Sequence, residues 1–136
     1  MKRKNRSIRS EDCRYVVVTI LLLVLTQFII AAQENDSPVA GKWEKDLNGV
    51  TITLVVDKNL NYTVDFESDG NFDVKGTCKI DGNQITFNDK PGGYASRDPG
   101  IYTYKIENDK ITFVIKDDPT AGRSGLLAGT WTKAKK

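Results

Sequence analysis

The sequence predicts an all-β protein, a single antiparallel up-and-down barrel of eight strands behind an N-terminal signal peptide. Three observations predict it. From Gly41 onward apolar and polar residues alternate with period two, and turn residues interrupt the alternation every 8 to 12 positions. Many of the interruptions are short (DKNL, SDGN, DGN, ENDK), and short links force neighbouring strands to run antiparallel. Finally, AGKWEK at 40–45 is repeated as AGTWTK at 128–133, as expected if the first and last strands of a closed sheet lie side by side.

The N-terminal end stands apart. Residues 1–14 carry six basic side chains against Glu11 and Asp12, and the apolar run YVVVTILLLVLTQFIIAA follows at 15–32. A basic start, an apolar core and small residues before the polar QENDSP describe a signal peptide over 1–32, with cleavage after Ala32. The alternative is an uncleaved anchor, because a run of about 18 residues is near the minimum for a membrane span. Either way the domain is expected outside, secreted or periplasmic, and touching a membrane only through this segment. Residues 33–40 read as a linker, 41–133 as the barrel and 134–136 as a basic tail.

Eight strands are expected at about 41–46, 51–57, 60–66, 72–79, 84–88, 101–107, 111–117 and 127–133. Parity puts nine large aromatics on one face: Trp43, Tyr62, Phe66, Phe72, Phe87, Tyr102, Tyr104, Phe113 and Trp131. The other face is largely Lys and Thr, with Glu44, Asp65 and Asp73. An apolar face with no helix predicted to cover it is buried by two packed sheets or by closure, and a simple meander closes. Filling by aromatics limits any ligand pocket to a small one.

Charge and composition exclude several functions. Residues 33–136 hold 14 Lys and Arg against 16 Asp and Glu, so no basic patch suggests nucleic acid. There is no histidine, the usual general base and metal ligand. DFESDGNFD (65–73) has the spacing of a calcium loop, but Gly76 stands where the closing glutamate belongs, so a hairpin turn is expected. No nucleophile–base pair or phosphate loop can be assembled, so neither an enzyme, a metal nor a cofactor is expected. Asn35 and Asn61 head glycosylation patterns relevant only to a eukaryotic secretory route. Cys13 precedes the apolar run, which rules it out as a lipid-anchoring cysteine, and Cys78 reads as a small buried hydrophobe.

Gly41-x-Trp43 at the start of an eight-strand meander resembles the lipocalin signature within the calycin group. The stretch DDPTAGRSGLLAGTWTK resembles the end of small exported bacterial lipocalin-like domains. The resemblance spans about 40–133 and departs from the family in length and in lacking a long C-terminal helix and a disulfide. It implies structural roles for Gly41, Trp43, Gly129 and Trp131, and a basic residue covering the first-strand tryptophan. Lys133 matches that place and Arg123 does not. It also implies ligand entry through the end bearing the first hairpin loop.

Geometry points to the same end. Links 47–50, 67–71, 88–100 and 117–126 gather there, and two are long. The candidate ligand-binding residues are therefore Tyr94, Arg97 and Arg123 from these loops, with Tyr62, Tyr102 and Tyr104 from the interior. The competing reading is that Asp98, Asp117 and Asp118 organise turns before proline and pair with Arg97 and Arg123. Two functions fit: a module binding a small hydrophobic or amphipathic molecule, or a filled barrel that meets or inhibits a partner protein through loops 88–100 and 117–126.

Overall fold

A computed structural model describes residues 37–135, and the expected signal segment lies outside them. The strands are β1 (Gly41–Leu47), β2 (Val50–Val56), β3 (Asn61–Asp65), β4 (Val74–Asp81), β5 (Gln84–Asp89), β6 (Gly100–Glu107), β7 (Lys110–Asp117) and β8 (Gly129–Lys133). They form one closed barrel in sequence order, every neighbour antiparallel. No described helix is long and apolar enough to cross a membrane.

Tight turns set the order. Asn48 and Gly49 link β1 to β2 with φ of 57° and 85°, the left-handed geometry that a two-residue hairpin demands. Asp81-Gly82-Asn83-Gln84 closes the β4–β5 hairpin with positive φ at Gly82 alone, 58°. Closure itself is narrow. Trp43 faces Lys133 and Glu44 faces Thr132, and the Ala134 amide extends the seam to the Lys42 carbonyl at 2.9 Å.

The repeated motif explains itself at this seam. Each tryptophan donates its indole N–H to the carbonyl four residues earlier, Trp43 to Val39 and Trp131 to Leu127, both at 2.9 Å. Each strand's lysine then covers the other strand's tryptophan. Lys133 Nζ lies 5.7 Å from the Trp43 ring centre and Lys45 Nζ lies 5.4 Å from that of Trp131. The two copies of Ala-Gly-x-Trp-x-Lys are thus related by a local two-fold about the Glu44–Thr132 pair. Val39, expected in a linker, is fully buried by this arrangement.

Four expectations need correction. The stretch 121–127 is a short helix, α1 (Ala121–Leu127), so the last strand starts at Gly129 and Leu127 is buried from the helix. The sheet is therefore covered at one end, where none was expected. Phe72 precedes β4 and is half exposed, because the β3–β4 link runs on to Asp73. Ile115, placed inward by parity, is also half exposed. Ile115 still pairs with Tyr102, and a register shift follows directly, leaving Lys116 as an extra residue before the Ile101–Asp117 pair.

Below that end the interior is filled. The Phe87 ring is met edge-on by Tyr62, Tyr102 and Phe113 at 5.1, 5.7 and 5.6 Å between centres. Cys78 packs in this core, and burial pushes its thiol pKa up, so the reactive thiolate is scarce. Native protein is therefore expected to react with a thiol reagent far more slowly than urea-unfolded protein. Equal rates would place the β4 face on the surface.

Candidate functional site

The helix end of the barrel holds a pocket of about 320 Å³. Its apolar wall is made by Val64, Phe66 and Val74 from β3, its following turn and β4, facing Leu126 and Leu127 of α1. Tyr94 stands at the mouth, exposed and edge-on to Phe66 at 5.3 Å. The polar lining is Tyr62, Asp89, Ser96, Thr120 and Arg123.

Arg123 organises this polar side. Its side chain is 6% exposed, and those of Asp89 and Asp118 are 2% and 0% exposed. The guanidinium grips Asp118 through Nε at 2.8 Å and Nη2 at 2.9 Å, donates to the Asp98 carbonyl at 2.7 Å, and reaches Asp89 through Nη1 at 3.3 Å. Tyr62 donates its hydroxyl to Asp89, and Tyr102 donates to Asp118. The Ser96 amide completes Asp89 at 2.7 Å and the Thr120 amide completes Asp118 at 2.9 Å. Loops 88–100 and 117–126 are thus tied to each other and to two interior strands.

The charge states follow. Burial works against the Asp118 carboxylate, but hydrogen bonds from Arg123, Tyr102 and the Thr120 amide outweigh it and hold the pKa below the usual range. Burial opposes the Arg123 charge as well, and Asp118 and then Asp89 overcome it, so the guanidinium stays protonated. Burial, reinforced by the neighbouring carboxylates, raises the pKa of Tyr62 and of Tyr102, so both remain phenols that donate.

Two glycines make the room. A Cβ at Gly100 would overlap Asp118 Oδ2 and stand 2.7 Å from Arg123 Nε. A Cβ at Gly76 would run into the Asn88 carbonyl and the Tyr62 ring. At the other end of α1, Lys45 donates to the Leu126 and Ala128 carbonyls at 2.8 and 2.6 Å, supplying donors to the otherwise unpaired helix terminus. Partial burial lowers its pKa.

Of the residues singled out from sequence, Tyr62, Tyr94 and Arg123 line the pocket. Tyr102 stands behind it, bonded to Asp118. Arg97 is exposed and lines an adjoining surface hollow with Pro91 and Ala95, one that shares Asp89 and Ser96 with the pocket. Tyr104 does not reach the pocket: its hydroxyl donates to the Gly82 carbonyl in the turn at the opposite end. The competing reading holds for one pair, since Asp118 both shapes its turn and pairs with Arg123. Asp89 and Ser96 escaped sequence reasoning. For Asp89 the signal was present, because parity carries Ile85 and Phe87 directly to it.

Among the described residues no group of three or more His, Cys, Asp or Glu could hold a metal. In the 65–73 turn, Asp65 accepts the amides of Glu67, Asp69 and Gly70, so its carboxylate is already occupied by the hairpin. Comparison with known proteins gives no match to a family model, a curated protein or a solved structure.

Proposed function

We propose that this chain is an exported, lipocalin-like binding module that holds one small amphipathic molecule in the pocket between α1 and the β3–β4 wall. The observation that carries the reading is a hollow with apolar sides and a hydrogen-bonded polar floor at the barrel's long-loop end. Its volume of about 320 Å³ falls at the lower bound of ligand sites. A dry void of that size would cost roughly 8 kcal/mol at about 24 cal/mol per Å³, whereas one open to water or ligand escapes the penalty. The basic-then-apolar N-terminal segment and the resemblance at Gly41-x-Trp43 support export and the family likeness.

A neutral naphthylamine-type fluorescent probe is expected to bind one-to-one, and Leu126→Trp, which fills the wall, is expected to abolish binding while the barrel still melts cooperatively. Failure of any apolar probe to bind, or equal binding by the filled variant, would refute the pocket. The surface around exposed Phe72 and Tyr94 would then favour the protein-interaction reading.

A further inference from the structure

The pocket has two charged lining side chains among the described residues, Asp89 and Arg123. They do not cancel. Arg123 is directed mainly at Asp118, which it holds through two N–H groups at 2.8 and 2.9 Å, and its one bond to Asp89 is 3.3 Å long. Asp118 does not line the pocket. Two buried carboxylates therefore share one guanidinium, and the surplus negative charge falls on the pocket side, at Asp89. The other donors to Asp89, the Tyr62 hydroxyl and the Ser96 amide, are neutral and leave the sum of charges unchanged.

Oδ1 of Asp89 accepts both Tyr62 and Arg123, while Oδ2 accepts only Ser96, so Oδ2 has capacity for one more donor. A buried charge is stable when it is paired as well as hydrogen-bonded. We infer that the pocket selects small amphipathic cations: molecules with a protonated amine head, seated against Asp89, and an apolar body lying on Val64, Phe66, Val74 and Leu126. This inference rests on the pocket being a ligand site, and it adds the charge of the ligand. A carboxylate head of the same size would meet the buried Asp89 side chain as a like charge, which is unfavourable. An alcohol would satisfy Oδ2 without changing the charge.

Three probes of equal tail length separate these cases: octylammonium, octanol and octanoate, titrated calorimetrically into the folded domain at neutral pH and low salt. Octylammonium is expected to bind one-to-one and roughly tenfold or more tighter than octanoate, with octanol between them. In Asp89→Asn the advantage of the ammonium over octanol should vanish while octanol binding persists. Because that substitution touches Arg123 and Tyr62 and can impair folding, the wild-type ranking decides the matter by itself. Equal affinities, or a preference for octanoate, would overturn the cation inference and leave the pocket standing. Absence of binding by all three would overturn the pocket reading and the inference with it.

Discussion

Arg123→Met is expected to destabilise the barrel by about 3–5 kcal/mol, the cost of leaving buried carboxylates without their cation. Asp118 loses two charge-assisted bonds and Asp89 loses one, and both side chains remain almost wholly inaccessible to water. Methionine keeps the length and apolar stem of arginine, so the loss reports charge and hydrogen bonding more than volume. Urea unfolding at neutral pH measures it, and a cost below about 1 kcal/mol would mean that the cluster is solvated. Adding Asp89→Asn and Asp118→Asn to the methionine variant should recover part of the loss, because no buried charge then remains. The pH dependence has a definite sign. Asp118 titrates lower in the folded barrel than in the unfolded chain, so its contribution is complete above the unfolded carboxylate range. It is lost as pH falls through the depressed folded value. Tyr62 and Tyr102 titrate higher when folded. Their contribution is complete below the ordinary phenol range, and it declines as pH rises beyond that range toward the raised folded values. Tyr62→Phe should flatten the alkaline limb and leave the acid limb set by Asp118, whereas Tyr102→Phe should flatten both, because its hydroxyl helps hold the Asp118 pKa down.

Period-two alternation made the barrel legible because one face of every strand is buried, and a slip of one residue would invert that face. The repeat of Ala-Gly-x-Trp-x-Lys gave the closure, since identical residues at a local two-fold bury each other's equivalents. Parity failed where the ladder is irregular, at Ile115 beside the register shift and at Phe72 beyond the end of pairing. Parity is informative at three further positions. Gly76, Asp89 and Gly100 all fall at inward positions, and an inward glycine beside an inward carboxylate signals space kept for a bulky polar partner. That partner, Arg123, comes from a segment whose local sequence argues against its own structure.

The segment AGRSGLL carries Gly122 and Gly125, each worth roughly 1 kcal/mol against a helix, and Thr120 makes no side-chain cap. Short isolated helices are marginal even without such residues. Tertiary anchors hold this one: Arg123 on two carboxylates, Leu127 in the core, and Lys45 on the last carbonyls. None of these contacts is local in sequence, so propensity could not reveal them. The same anchors build the candidate site, for the helix that closes the pocket wall also delivers the guanidinium to its floor. The pocket was therefore legible by position, at the long-loop end, but not by chemistry.

Trp43→Ala and Trp131→Ala are each expected to cost about 3–5 kcal/mol, the range for deleting a large buried aromatic. Both rings are at most 1% exposed, and both indole N–H groups are satisfied inside the protein. The seam gives these residues more weight than equal burial elsewhere, because β1 and β8 share only two register pairs, one of which contains Trp43 and the other of which adjoins Trp131. Removing Trp43 also takes away the surface on which Lys133 lies, and leaves the buried Val39 carbonyl without its donor. Removing Trp131 does the same to Lys45 and the Leu127 carbonyl, with a further consequence. Lys45 is held over that ring while it donates to the end of α1, so its loss should loosen the helix and with it the pocket. The two variants should therefore be alike in urea stability and unlike at the pocket, where Trp131→Ala should lose more probe affinity than Trp43→Ala. A domain is stable by roughly 5–15 kcal/mol, so either change removes a large share. Wild-type stability in both variants would show that the barrel does not depend on its seam.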